Sequence, residues 1–280
     1  MATNLNHATI KLSPGTVTHI WKPPNSPCRA VIVLQHGYAE YAERYTTSHH
    51  NIIVHLVEAG YIVYAMDFWG HGQSPGTRGI VHVGTAVRDH QELRKVAREQ
   101  NPGLPIILYG HSLGGLTTAG STVADQSDIK GVIMTGPALA EPLPLGGRRL
   151  LGLATALMPK VSIPKKADVE GLTRDQREIE KYWEDPLFHK EPISLLLGAT
   201  ALDVAQTVWA GFEAWKVPTL LLHGDADTYC DWKASKKFME GITSTDKTFG
   251  IYEEGRHELL HDLEGDAVLQ RMMDWIASHI

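Results

Sequence analysis

Gly110-His111-Ser112-Leu113-Gly114 sets a serine between glycines two residues to either side, directly after the apolar run Pro105-Ile106-Ile107-Leu108-Tyr109. A serine hydroxyl is a poor nucleophile at neutral pH. It attacks a carbonyl only when a base stands ready to take its proton and an acid holds that base in place. The motif itself contributes exposure. A strand that becomes a helix within about two residues forces its serine into a strained backbone conformation, and flanking glycines remove the Cβ atoms that would otherwise collide. The pattern alone is common, so its context carries the weight: a clean apolar strand before it, and after it a stretch of small residues (Gly114, Gly115, Thr117, Thr118, Ala119, Gly120) suited to close helix–strand packing.

The rest of such a centre has to come from later loops. In the α/β-hydrolase fold the partners follow in the order serine, acid, histidine, each after a later strand. After Pro218–His223 comes Gly224-Asp225-Ala226-Asp227. Two carboxylates compete there. Asp227, a few positions beyond the strand, is placed to curl back toward an imidazole, while Asp225 beside Gly224 suits an Asx-type role in the turn. After Lys247–Tyr252 comes Glu253-Glu254-Gly255-Arg256-His257, so His257 is the expected base, with His261 as the fallback. The oxyanion of a tetrahedral intermediate needs donors too. The backbone N–H of Leu113 is one, and the N–H of Tyr38, in the loop after Ala30–Gln35, is the second.

The elements that must hold these loops are legible as alternating short apolar runs and longer amphipathic stretches. Strands are expected at Ala30–Gln35, Tyr61–Met66, Pro105–Tyr109, Gly131–Thr135, Pro218–His223 and Lys247–Tyr252, and helices at Arg44–Ala59, Thr85–Gln100, Gly114–Asp125, Asp231–Gly241 and Asp262–Ile280. Buried strands alternating with helices predict an α/β fold, a mostly parallel central sheet flanked by helices. His7–Leu12 and Thr16–Trp21, around Ser13-Pro14-Gly15, predict an antiparallel hairpin at one edge. From Glu141 to Thr207 the spacing is too long for one crossover, and prolines stand at 142, 144, 159, 164, 186 and 192. The division that follows is a core of residues 1–140 and 208–280 with a helical cap, or lid, of residues 141–207 inserted in it. Within the cap, Leu150–Met158 is apolar nearly all round. Packing on the body is the expectation, contact with lipid or a greasy substrate the alternative.

Composition removes other classes. A net charge of −6 with scattered Lys and Arg, whose densest groups are pairs such as Arg148-Arg149, Lys165-Lys166 and Lys236-Lys237, argues against a nucleic-acid partner. Two cysteines, Cys28 and Cys230, permit one disulfide but no disulfide framework, and they form no Cys-x-x-Cys metal site. Residues 1–12 lack a basic segment followed by an apolar run, and no uninterrupted apolar stretch of ~18 residues occurs. The expectation is a cytoplasmic enzyme without cofactor or metal, with peripheral contact at membranes or lipid droplets left open through the lid. Asp67-Phe68-Trp69-Gly70-His71-Gly72-Gln73-Ser74 is neither a phosphate loop nor a spaced metal site. It reads as a turn whose buried polar groups support the catalytic loops.

Taken together these segments resemble the monoacylglycerol lipases among the α/β-hydrolases, over nearly the whole chain. His36-Gly37-Tyr38-Ala39-Glu40 with Arg44-Tyr45 is similar to that family's oxyanion loop, Asp67-x-x-Gly70-His71-Gly72-Gln73-Ser74 to its Gly-His-Gly turn, and Gly110–Gly115 to its nucleophile elbow. Asp185-Pro186-Leu187, Gly224-x-x-Asp227 with Cys230-Asp231, and Tyr252-Glu253 before His257 are similar as well. The resemblance implies a serine carboxylester hydrolase acting on monoacylglycerols or similar single-chain esters, favours Asp227 as the acid, and implies a substrate role at the alcohol end for Glu40 and Arg44. A surface ion pair supporting the loop is the other reading of those two residues. Ala39 and the large Tyr38 depart from the family loop, where a second glycine and a small residue are usual, and so bear on acyl and alcohol preference. A different small ester, a lactone or a short peptide on the same machinery, or a non-catalytic relative, are the alternatives.

Overall fold

Four of the apolar runs end up covered on both sides because each lies inside a parallel sheet. The computed structural model describes residues 5–12, 15–24, 27–162 and 168–280. The Ser13-Pro14 part of the expected hairpin turn, Pro164 and the Lys165-Lys166 pair lie outside them. Strands β1 (Asn6–Lys11), β2 (Val17–Lys22), β3 (Ala30–Gln35), β4 (Tyr61–Met66), β5 (Ile106–His111), β6 (Ile129–Thr135), β7 (Thr219–Gly224) and β8 (Lys247–Tyr252) form one sheet in the order β1-β2-β4-β3-β5-β6-β7-β8. β1–β2 and β2–β4 pair antiparallel, and every later neighbour is parallel. β3, β4, β5 and β7 are buried throughout, whereas β1 at one edge is largely exposed.

Period-two alternation sends successive side chains to opposite faces. Val31, Val33, Leu108, Val132, Met134 and Leu221 meet α2 (Val83–Gln100), α3 (Leu113–Ala124) and α7 (Trp232–Gly241) on one side. Ile32, Leu34, Ile107, Tyr109, Ile133 and Leu222 meet α1 (Ile52–Glu58) and α8 (Gly265–Ser278) on the other. Cys28 and Cys230 are not joined in a disulfide.

Three local expectations are corrected. The single helix expected over 44–59 is broken. A 3-10 turn covers Ala42–Thr46, and His49, His50 and Asn51 all take φ near +50° before α1 begins. Tertiary hydrogen bonds outcompete the helix, because the His49 N–H goes to His261 and its imidazole to Glu40. The last helix starts at Gly265 rather than Asp262, since the Asp262 carboxylate is occupied by the N–H groups of Arg256 and Arg174. The third concerns the 141–207 insertion. It contains α4 (Leu145–Leu157), a 3-10 turn at Val169–Gly171, α5 (Gln176–Glu184) and α6 (Leu195–Gly211). The boundary at 207/208 therefore falls inside α6, which packs along α2 and α3 and buries Leu197, Val204, Ala205 and Val208 in the main core. Residues 195–214 are also long and apolar enough to cross a membrane by length and composition, but their packing in the helical layer gives that apolarity a reason.

α4 packs against α6, as expected, with Leu151, Ala154 and Thr155 half-buried, and its other face is open. Leu150, Leu153 and Leu157, one stripe at helical spacing, are 70%, 60% and 72% exposed, and Met158 and Val161 beyond them are exposed as well.

The α3 N-terminus comes so close to β3 that a Cβ on Gly114 would overlap the carbonyl oxygens of Gln35 and His36. Gly114→Ala should therefore cost about 1–3 kcal/mol of stability, read as a lower urea midpoint with unchanged slope.

Candidate active site

The bend between β5 and α3 is where the sequence places the serine, and Ser112 there adopts φ 53° and ψ −118°. A non-glycine residue with positive φ is strained, and the surroundings hold it there. The Ser112 N–H donates to Thr135 O at 3.0 Å, and its carbonyl accepts from Leu116 N and Ala138 N, both at 3.1 Å. The side chain is thereby aimed out of the sheet, half-buried, toward the loop after β8.

There the Ser112 hydroxyl donates to His257 Nε2 at 2.8 Å, and His257 Nδ1 donates to Asp227 Oδ2 at 2.7 Å. The Asp227 carboxylate is saturated. Oδ1 accepts from the N–H groups of Tyr229 (2.7 Å) and Cys230 (2.9 Å), and Oδ2 accepts from His223 Nε2 at 3.0 Å besides His257. Burial pushes the Asp227 carboxyl up, but His257 and His223 outweigh it and hold it far below the usual carboxylate range. Burial likewise pushes His257 down, and the Asp227 charge more than offsets this, leaving the imidazole above its ordinary value. Asp225 instead accepts from Glu254 N at 2.7 Å and so joins the two loops. His261 is turned away from Ser112, with its Nε2 against Ser48 Oγ at 2.8 Å.

Among the described residues, neither the N–H of Leu113 nor that of Tyr38 has a protein acceptor. Gly37 lies against Ser112, since a Cβ added there would come 3.2 Å from the Ser112 Cβ. The loop carrying Tyr38 is fixed by three buried side chains. His71 Nε2 accepts from Ala39 N at 3.1 Å, at a residue with φ 76°. Burial, aided by His36, pushes His71 down to about 3, so it is neutral and can accept. Asp67 accepts from Ala42 N at 2.8 Å and Gln73 N at 2.7 Å. Glu40 accepts from Gly37 N at 2.6 Å and Tyr45 Oη at 2.7 Å on one oxygen, and from Arg44 at 2.9 Å and His49 at 2.7 Å on the other.

Glu40 and Arg44 do form an ion pair that supports the loop, but an interior one. They are buried, so they form no surface pair, and Glu40 has no oxygen left over for a substrate. Glu40 acts instead through the Gly37 amide, as a support of the oxyanion loop. His223 was not anticipated as a partner of Asp227. The available signal was a polar residue closing an otherwise apolar strand. Three sets of side chains among the described residues have metal-ligand geometry, one of them the buried His49, Glu258 and His261, whose histidines are held by Glu40, Glu258 and Ser48. Another is Asp227, Cys230 and His257, whose imidazole is already committed to Ser112. The third is His7, His19 and Glu43.

Comparison with known proteins places the chain. Residues 26–264 match the family described as serine aminopeptidase, S33. The monoacylglycerol lipase of Mycolicibacterium smegmatis is 29% identical over 94% of this chain and 93% of its own, and the human monoglyceride lipase is 31% identical over 92% and 85%. The crystal structure of the Paleococcus ferrophilus monoacylglycerol lipase superimposes with a TM-score of 0.79 at 30% identity, covering 99% of this chain and all of that one. The chain belongs to this family. It is a carboxylic ester hydrolase of the monoacylglycerol lipase-like α/β-hydrolases.

Glu40 is the counter-charge of a buried cation. Burial pushes its carboxyl up, but His49 and Arg44 hold it well below the usual range. His49 is itself pushed down to about 4 by burial and His261, so Arg44 is the formal cation at neutral pH. Glu40→Ala leaves that cation with Glu258 alone, at 3.8 Å, and leaves the Gly37 amide without its acceptor; it should cost about 1–3 kcal/mol in denaturant unfolding at pH 7. A depressed carboxyl stabilises above its unfolded pKa of about 4.3 and ceases to as pH falls through the lower folded value. The gap between wild type and variant should therefore narrow below about pH 4.

Proposed function

We propose that the protein hydrolyses monoacylglycerols, or similar single-chain fatty acyl esters, through an acyl-enzyme on Ser112. The observation that carries the reading is the continuous hydrogen-bonded chain Ser112–His257–Asp227, beside two backbone N–H groups with no protein acceptor. Ser112 Oγ attacks the ester carbonyl as His257 Nε2 takes its proton. The oxyanion is held by the Leu113 and Tyr38 N–H groups, each such donor being worth about 3–4 kcal/mol. His257 passes the proton to the departing glycerol oxygen. A water then repeats the sequence, releasing the fatty acid and restoring Ser112. Asp227 fixes the imidazole tautomer and stabilises the imidazolium.

The part of the insertion standing off the core, from about 141 to 194, is read as the cap. Its exposed stripe on α4, with Leu143, Met158 and Val161 alongside, favours an apolar substrate delivered from a lipid surface. It also favours an acyl ester over the peptide that the family's description suggests, because a polar peptide gives those side chains nothing to contact.

Ser112→Ala should abolish ester turnover and labelling by a fluorophosphonate probe while leaving the circular dichroism spectrum unchanged; retained turnover would remove the assignment. Rates on 1-monoacylglycerols should rise toward long acyl chains, and a profile that peaks at acetyl or butyryl would point to a short-chain esterase. In kcat/KM against pH, the limb for His257 deprotonation should lie above the ordinary imidazole value of about 6.5. Asp227→Asn should move that limb to lower pH and reduce the plateau about 10⁴-fold, with a far smaller effect from Asp225→Asn. Leu153→Glu and Leu157→Glu should reduce co-sedimentation with phospholipid vesicles without changing turnover of a short soluble ester; undiminished sedimentation would exclude α4 as the docking face.

A further inference from the structure

The antiparallel edge of the sheet carries a second cluster of chemistry-bearing side chains, which the hydrolytic reaction does not use. In the β1–β2 register His7 stands opposite Trp21 and His19 opposite Thr9, so the two histidines are diagonal neighbours on one face. Their rings and that of Trp21 stack nearly parallel. His7 lies 4.8 Å and His19 5.6 Å from Trp21 between centroids, with planes within 13°. The stack fixes the direction of His7 although that residue is exposed. His7 Nε2 faces His19 Nδ1 at 3.1 Å. The other nitrogen of His19 meets the Asp67 carboxylate at 3.1 Å. Asp67 also accepts from Ala42 N and Gln73 N. Against an acceptor-only carboxylate His19 Nε2 carries the proton, so Nδ1 presents a lone pair toward His7. Glu43, next to Ala42 in the 3-10 turn, brings a carboxylate oxygen to the same point, and the ligand atoms of all three residues lie within 4.8 Å of one another. Gln73 Nε2 donates to Glu43 Oε2 at 2.7 Å, which leaves Oε1 to turn inward.

We propose that His7, His19 and Glu43 bind a divalent transition-metal ion of the zinc class. Two imidazoles and one carboxylate are the ligand set such ions take, and bonds of about 2.0–2.1 Å in a tetrahedron separate nitrogens by about 3.3 Å, close to the observed spacing. A histidine ligand backed by a carboxylate on its far nitrogen is the usual outer support of a zinc site, and Asp67 supplies it here. A fourth position is left for water. Two of the three ligands, His7 and His19, precede the segment matched by the family model, which begins at residue 26. The ion would clip the outermost strand, held otherwise through β2, to the turn that follows the oxyanion loop.

The test is a titration of the full-length protein, first dialysed against chelator, with zinc chloride in competition with a chromophoric chelator. Cobalt(II) absorption would report the geometry. The wild type should bind one equivalent that His7→Ala weakens by at least about tenfold and Glu43→Gln weakens as well, with a tetrahedral cobalt spectrum lost in step. The ion should raise the melting temperature of the wild type and not of His7→Ala. A wild type that binds no zinc overturns the proposal. So does equal binding by wild type and both variants, which would put the ion at another set instead, either His257, Asp227 and Cys230 or His49, Glu258 and His261.

Discussion

Proton transfer from Ser112 to His257 works only across a gap of about 3 Å, and the two residues sit on loops that follow different strands. The distance is therefore a property of the sheet. β5 fixes where the serine leaves, β7 and β8 fix where Asp227 and His257 return, and β6 lies between β5 and β7, with Thr135 O accepting from the Ser112 amide. The bend at Ser112 is strained, with φ 53°, and such strain persists only where the surroundings over-determine it. Three hydrogen bonds to the Ser112 backbone and the glycines at 110 and 114, packed with no room for a Cβ, provide that over-determination.

Beneath the reacting atoms lies a layer of buried charge, which is an expensive way to build. A carboxylate removed from water is tolerated only when its lone pairs are filled. Asp227, Glu40 and Asp67 each meet that demand in the same manner, taking backbone N–H groups from a loop together with imidazole or guanidinium donors from elsewhere. The consequence is positional. An apolar contact tolerates sliding, whereas a carboxylate holding Gly37 N at 2.6 Å or Ala42 N at 2.8 Å fixes a loop's register. Burial does complementary work on His71 and His36, pushing both below the ordinary imidazole value so that they stay neutral and accept from Ala39 N and Phe68 N.

Legibility in the sequence followed the range of the interaction. Strands buried on both faces were readable because local composition alone dictates them, and the serine, Asp227 and His257 were readable because topology assigns each a loop. The helix expected at 44–59 was misread because its competitors, His261 and Glu40, are distant or off the helical face, and no local pattern announces them. Glu40 was misplaced for a related reason. A Glu and an Arg four residues apart look like a surface pair until Tyr45, His49 and the Gly37 amide are seen to surround the carboxylate. The His7–His19 pairing follows from the hairpin expected over His7–Leu12 and Thr16–Trp21, which sets His7 opposite Trp21, but the approach of Glu43 and Asp67 from other loops has no local pattern to announce it.

The insertion satisfies two opposed requirements, and its division explains how. A cap that admits a greasy substrate needs apolar surface facing outward, yet the loop bearing His257 tolerates no drift. The structure separates these tasks along the chain. Gly171 O accepts from His257 N and Leu172 O from Glu258 N, while Arg174 pairs with Asp262, so the middle of the insertion is pinned to the catalytic loop by backbone and charge. α6 is anchored in the main core through Val204 and Val208. α4, between those anchors and β6, packs one face on α6 and leaves Leu150, Leu153 and Leu157 in solvent. Among the described helices α4 carries the most exposed apolar stripe, and none of the hydrogen bonds that hold the Ser112 backbone, the imidazole or Asp227 comes from it.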